Sequence, residues 1–585
     1  MSDQQPGQEE PTTSIDELSF AAAEVAAVEQ WASRLPLVNI DETTQQLAMA
    51  VAEVSILNAP ASLRFDLVES LRPLVHYVYS RADRAASAGQ REYSNTPAHA
   101  LQSNLCRAYE YVFKETLEAP DEGADPTLLP CAGHRLLSEL SVMGLRSLQY
   151  YAPLPAHFWR ELNETYLHLD EGGYAGFSLE DTENASRPLT IQESYLRTLL
   201  LAASKPNQLL QRDLTNVYGA LENWCQHATL SSKQNKALYV IDLGSNRGPQ
   251  LTRFAKRLVN PRTIHTEVLA YEIDAYLREV ATDLVVPDYV NQPLLAHLAS
   301  AWSVVQPRNF RRIQAEGEVR VCVGLHAVHY FLAGGVGFEG QISNADELLR
   351  REVNPFLEVQ FEASRPGMDD DPWSRPSRIP INPNIERPEE ILAPSLKEKL
   401  QDREYEHFET EAVNTSPGGY CLQWRDDLPD NAKVGELIAT RDENDPRWRV
   451  ALIRWISREG DGDAARTNMG VELLSPRAIP LAARVIQKRG GSTNYSRALL
   501  LPAIDMINQP QTLITPSLPF LPKQKISIQR QDIQATGLLL DVHLKTGSFN
   551  QFTFRMLDGY LESSGGGSNI DALSAMTRED TTQGP

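Results

Sequence analysis

Cysteine is scarce in this chain, and the few cysteines do not cluster. Only Cys106, Cys131, Cys225, Cys322 and Cys421 occur among 585 residues. Their number is odd and no two form a CxxC pair, which excludes a disulfide framework or a zinc ligand set and leaves isolated thiols in a reducing compartment. Basic residues are also in deficit. Against 77 acidic residues there are 55 basic ones, giving a formal charge of −22; such a field repels polyanions and argues against a general DNA or RNA binder. No apolar run approaches the roughly 20 residues needed to cross a bilayer. The N-terminus is acidic and polar, so no signal peptide is expected. GxSxG, Walker and dinucleotide fingerprints are missing too; the stretch Asp242–Gly248 lacks the glycine spacing of a phosphate-gripping turn. The expectation is a soluble, cytoplasmic protein without catalytic residues, too long for a single hydrophobic core.

What is present begins with helical patterning. After a polar tail, 1–13, the capping-box spacing of Ser14 and Glu17 and the stripe Phe20, Val25, Val28, Trp31 predict a helix starting at Ser14. Further helices are predicted over 42–58, 61–82, 96–118, 127–151, 155–170, 190–203 and 208–228. Their apolar stripes, such as Leu214, Val217, Tyr218, Leu221 and Trp224, read as inter-helix core. After Ser231 the texture changes: a strand over Ala237–Leu243, helices over 265–280 and 293–303, and a strand over Val319–Val323. A proline-rich stretch, 340–405, follows, with the acidic run Asp369–Asp371 and a helical piece at 395–403; it reads mostly as loop. From Tyr420 onward short strands dominate. They run over Tyr420–Trp424, Glu436–Thr440, Trp448–Trp455 and Gly470–Leu474, then over 497–503, 511–514, 525–530, 537–544 and 550–556.

These shifts divide the chain into a helical domain (14–125), a second helical bundle (126–230), a mixed linker domain (231–304), a β-barrel (305–485) interrupted by an insertion at 325–408, and a small C-terminal β-domain (486–558), with a polar tail over 560–585. The fold class is α+β multidomain: a helical N-terminal half, a six-stranded β-barrel and a second small β-domain.

Two short motifs carry chemistry. Arg308, Arg311 and Arg312 stand within five residues of an otherwise acidic chain. Each guanidinium is a permanently charged planar fork, able to grip phosphate oxygens, pair with the O6/N7 edge of guanine or stack on a purine. The second motif is Asn414–Gly419, ahead of the strand Tyr420–Trp424. Asn414 and Ser416 offer short polar groups to a base edge; Gly418 and Gly419 permit positive φ or close approach of backbone to ligand. A metal site has less support: His326 and His329 stand three apart, but no third or fourth ligand follows at suitable spacing.

Together the motifs resemble the two signatures of the PilZ family of cyclic di-GMP receptors, an RxxxR arm and a [D/N]xSxxG turn. Arg308 and Arg312 match the arginines; Asn414, Ser416 and Gly419 match the fixed turn positions. Gly435 before a strand, a long strand pair ending near Trp455 and the terminal Gly-Val-Glu-Leu-Leu at 470–474 are similar to the same family. The resemblance implies a six-stranded barrel with cyclic di-GMP on its outer face, Arg308 and Arg312 on phosphate and guanine, and Asn414, Ser416 and Gly419 along the other guanine. It implies a receptor or adaptor that needs no cofactor beyond this ligand, in motility, pilus function, adhesion or biofilm regulation; the helical half could carry the surface for a protein partner, and the alternative is a PilZ-like interaction scaffold that binds no nucleotide. The sequence departs from the family in one respect: 102 positions separate Arg312 from Asn414, where a few tens are usual.

Overall fold

A computed structural model describes residues 14–86, 96–118, 125–232, 236–303, 313–315, 317–338, 405–416, 418–424, 428–443, 445–459, 466–487, 492–503, 509–530 and 533–557. Both tails, the proline-rich stretch and its helical piece at 395–403 lie outside them. The described residues fall into two compact units. One lies within Met1–Arg311 and includes Leu428–Asp430 and Trp455–Asn468; the other lies within Arg312–Asp427, Asn431–Arg454 and Met469–Pro585.

The first unit is built on helices α1 (Val25–Ala32), α2 (Ile40–Ser55), α3 (Ala61–Ala86), α4 (Pro97–Glu118), α5 (Leu128–Gln149) and α6 (Phe158–Glu171), then the hairpin β1 (Ser178–Leu179) and β2 (Leu189–Thr190), α7 (Ile191–Ala203) and α8 (Gln211–Trp224). Their ends obey local chemistry. Asn39 caps α2 by accepting from the Glu42 amide, and Thr190 and Glu193 form a complete capping box at α7. The helix predicted from Ser14 instead begins at Val25. Ile15 is spent on a β-bridge to Leu57, and the Ser19 amide and hydroxyl both donate to the Glu53 carboxylate at 2.7 and 2.6 Å, so this segment is tied to the end of α2 rather than coiled on itself.

A four-stranded antiparallel sheet completes the unit: β3 (Thr229–Ser231), β4 (Tyr239–Asp242), β5 (Gln250–Leu251) and β6 (Pro261–His265), in the order β3-β6-β4-β5, followed by α9 (Glu267–Leu277) and α10 (Gln292–Ser303). One apolar core, from Leu18 to Trp302, runs through helices and sheet alike.

This unit also buries charge. Arg72 of α3 donates to Glu139 of α5 at 2.8 Å and to Asp181 at 2.6 Å, with all three side chains at most 4% exposed. His76 lies 2.8 Å from the same Glu139 oxygen, Ser138 donates to Asp181 at 2.6 Å, and Arg135 grips Glu69 at 3.0 Å. Burial pushes the Glu139 carboxyl upward, but the facing His76 and Arg72 charges overcome it and bring it down to about 2.

The second unit opens with β7 (Ile313–Gln314), β8 (Glu318–Val323) and α11 (Leu325–Leu332), and continues with β9 (Phe408–Ser416), β10 (Gly419–Trp424), β11 (Leu437–Asp442), β12 (Arg449–Glu459) and β13 (Arg466–Ser475). The order is β10-β13-β12-β11-β8-β9, and β9 pairs back onto β10, so six strands form a ring. β7 lies on the same edge of β9 as β8. Val319 and Arg320 of β8 pair with Thr410 and Glu409, while Gln314 and Ile313 of β7 pair with Asn414 and Thr415. Between them Ala315 donates to Val413 and Ala412 donates to Gly317. β7 and β8 are thus one strand with a break.

Strands β14 (Ile479–Val485), β15 (Ser496–Leu501), β16 (Thr512–Pro516), β17 (Lys525–Arg530), β18 (Ile533–Lys545) and β19 (Phe549–Met556) form a second closed barrel, in the order β14-β15-β16-β19-β18-β17. Its lumen is apolar, with Leu481, Leu500, Leu513, Phe520, Ile526, Ile528 and Phe552 buried together. The two barrels share a further cluster in which Leu437, Ala439, Val450 and Leu452 meet Leu499, Leu501, Ile514 and Phe549, with Leu325 and Val328 of α11 among them. The α+β order expected from the sequence is the one observed: helices, a six-stranded ring, then a second β-domain.

Candidate functional site

The Asn414–Gly419 motif is the turn of the β9–β10 hairpin. Ser416 faces Gly419 across a two-residue loop, Thr415 faces Tyr420 and Asn414 faces Cys421. The Ser416 hydroxyl donates to the Gly419 carbonyl at 3.3 Å, which holds the loop closed. Gly419 has φ +153, and a Cβ there would lie 1.9 Å from the Val471 carbonyl oxygen and 3.1 Å from the Glu472 Cα. The neighbouring strand therefore requires glycine at this position. One residue back, the Gly418 carbonyl accepts from the Leu473 amide at 3.0 Å. The hairpin is thus fixed to β13 as well as to β9.

Which way the motif's side chains face follows from its partners. Tyr420 reaches Asp442 of β11 at 3.0 Å and accepts from Arg449 of β12 at 2.5 Å. Neither strand neighbours β10 in the ring, so Tyr420 and its partner Thr415 face the lumen. Strand alternation then puts Asn414 and Ser416 on the outer face. The register shift at Cys421/Leu422 leaves Val413 of β9 as a bulged extra residue, so Ala412 and Thr415 both face inward while Tyr420, Leu422 and Trp424 keep a single face of β10. Burial and the adjacent Asp442 push the Tyr420 phenol up to about 12. The Asp445 carboxyl, gripped by Arg447 at 3.0 Å and Arg449 at 2.9 Å, is held well below the usual range. This lumen-end network stiffens the strand that carries the turn.

Of the residues singled out in the sequence, Asn414, Ser416, Gly418 and Gly419 come together in this hairpin, while Arg308, Arg311 and Arg312 lie outside the described residues. Ile313, the residue after Arg312, pairs with Thr415, and Gln314 pairs with Asn414. β8 and β9, described strands that lie between Arg312 and Gly419 in sequence, are neighbours in the ring. Sequence reasoning missed the outer-face pair beside the hairpin: Arg454 of β12 and Glu472 of β13 form an ion pair, 47% and 46% exposed. The run Gly-Val-Glu-Leu-Leu gives a strand and a family likeness in the sequence but no role for Glu472, which strand alternation turns away from the buried Val471.

His326 and His329 do not form a ligand pair. His326 is exposed, whereas His329 is buried against the Leu481 carbonyl at 3.1 Å, and burial lowers it to about 4. Among the described residues no group of three or more His, Cys, Asp or Glu is arranged to hold a metal, and no helix is long and apolar enough to cross a membrane. The turn at Asp242 is structural: its carboxylate accepts from the amides of Gly244, Val259 and Asn260.

A six-stranded ring with an [N]xSxxG hairpin, joined by pairing to the strand that follows an RxxxR arm, defines a PilZ-domain protein. Comparison with known proteins refines this. The family described as cyclic-di-GMP receptor FimW, N-terminal domain, matches residues 26–235; its middle PilZ domain matches 238–480; the FimW C-terminal beta-barrel domain matches 481–557. The cyclic-di-GMP receptor FimW of Pseudomonas aeruginosa is 31% identical over 572 residues, covering 93% of this chain and 92% of the relative. No solved structure matches. The chain belongs to the FimW family of PilZ-domain proteins.

Proposed function

We propose that this protein is a bacterial cyclic di-GMP receptor, binding the dinucleotide on the outer face of the first barrel where the Arg308–Arg312 arm meets the Asn414–Gly419 hairpin. The observation that supports the reading is the pairing of Ile313 and Gln314, the residues that follow Arg312 in sequence, with Thr415 and Asn414 of the hairpin. The kinship to FimW, itself named a cyclic-di-GMP receptor, supports the same ligand. Arg308, Arg311 and Arg312 supply charge and planar donors for phosphates and guanine; Asn414 and Ser416 meet a base edge; Gly418 and Gly419 keep the surface flat enough for a stacked dinucleotide. The protein acts as a cytoplasmic adaptor rather than an enzyme, passing second-messenger level to a protein partner through its helical half, in motility, pilus function, adhesion or biofilm control. Titration calorimetry against cyclic di-GMP, with cyclic di-AMP and GTP as controls, tests it. Binding at about 0.1–10 μM is expected; no heat at about 100 μM ligand in low salt, well above that range, removes the receptor reading.

A further inference from the structure

We infer that Glu472 reads the Watson–Crick edge of guanine in this site and that Arg454 positions it, so that the pair sets the preference for guanine over other purines. The inference rests on the receptor reading above and names which side chain confers its base selectivity.

The argument starts from facing. Val450, Leu452 and Leu474 supply the reference: Leu452 and Val450 of β12 lie in the cluster shared with the second barrel, and Leu474 of β13 packs against that cluster. These are outward positions, so Arg454 and Glu472, two residues along each strand, are outward as well. Asn414 and Ser416 face outward on β9, the neighbour of β10. Glu472 is also close in the plane of the sheet. Its Cα lies 3.1 Å from where a Gly419 side chain would begin, and the next residue, Leu473, bonds the Gly418 carbonyl. The carboxylate therefore projects from the strand flanking the hairpin, on the same face.

The chemistry fits a guanine. Its N1–H and N2–H₂ are two parallel donors, which a carboxylate accepts with both oxygens. Asn414 stands where an aspartate is the alternative in the motif, and its single amide oxygen cannot make that bidentate contact. Glu472 supplies the missing carboxylate. A bare carboxylate beside a dianionic ligand would be repelled, but Arg454 offsets its charge and leaves the ligand facing a nearly neutral pair. Both side chains are half exposed, so exchanging water for a base edge disturbs little of the barrel.

The test is calorimetric affinity for cyclic di-GMP, cyclic di-IMP, which lacks the N2 amino group, and cyclic di-AMP, using wild type, Glu472→Gln and Arg454→Ala, with thermal unfolding alongside. Wild type should prefer cyclic di-GMP over cyclic di-IMP by about tenfold or more, as one charge-assisted hydrogen bond implies. Glu472→Gln should weaken cyclic di-GMP binding about 10- to 100-fold and bring the two ligands within about threefold of each other, at an unchanged unfolding midpoint. Arg454→Ala should lower the same ratio, a readout that a purely structural residue would not move. Wild type that binds none of the three overturns both this inference and the receptor reading. Wild type that binds, with a preference unaltered in Glu472→Gln, overturns the assignment of Glu472 alone and leaves the receptor standing.

Discussion

The helical unit and the barrel unit dispose of charge in opposite ways. In the first, Arg72, Glu139 and Asp181 are sealed from water and paired with one another, with His76 and Ser138 filling in around them. In the second, Arg454 and Glu472 stay half in solvent beside the hairpin, and the partly exposed Tyr420–Asp442–Arg449 group sits at the lumen end. Losing one partner of a buried pair strands a charge; a half-exposed pair exchanges partners at small cost. The first arrangement specifies a fold, and the second leaves groups available to a ligand.

The contrast is sharpest in Arg72→Ala, which leaves two carboxylates buried without their cation. A loss of about 3–5 kcal/mol is expected in urea unfolding; a loss below about 1 kcal/mol, the range of exposed pairs, would erase the distinction. Acid sharpens it further. Glu139 is held near 2 and Asp181 also lies below its ordinary value, so their contribution is complete above the unfolded carboxylate range near pH 4 and is lost as pH falls from there through about 2. Glu139→Gln should flatten that acid limb in a pH series of urea midpoints.

On the barrel side, Gly419→Val forces a side chain into the Val471 carbonyl and should cost about 3 kcal/mol; calorimetric unfolding with wild-type stability would show that β10 can move off β13. Arg308→Ala and Arg312→Ala should each weaken cyclic di-GMP binding about 10- to 100-fold, with lysine rescuing little because the planar fork is gone. Loss of binding that tracks loss of folding would remove the arm from the site. Ser416→Ala is the smallest step, about 1 kcal/mol in affinity for one neutral hydrogen bond.

Much of this was legible in the sequence. The helices from α2 to α10 follow apolar stripes, and the strands from β10 onward follow short β-branched runs between turn residues. β9 was not legible. Phe408–Ser416 turns Glu409, Glu411 and Val413 to solvent and only the small Thr410 and Ala412 inward, so it reads as polar loop. β6, Pro261–His265, hides behind a proline and an arginine. The Asn414–Gly419 motif was legible, but its strand neighbours were not, because the pairing of Ile313 with Thr415 is a contact that no local pattern encodes. Glu472 and Arg454 escaped notice because their meaning depends on the neighbouring strand.

The shared cluster between the barrels bears on inheritance. The family's middle and C-terminal domains divide at residues 480 and 481, inside β14, yet Leu437, Val450 and Leu452 on one side of that line pack with Leu499, Ile514 and Phe549 on the other. His329 reaches the Leu481 carbonyl and Ser548 bonds Glu436 across the same line. A chain cut at that boundary would expose an apolar face on each product, so each barrel of this protein completes the other's core.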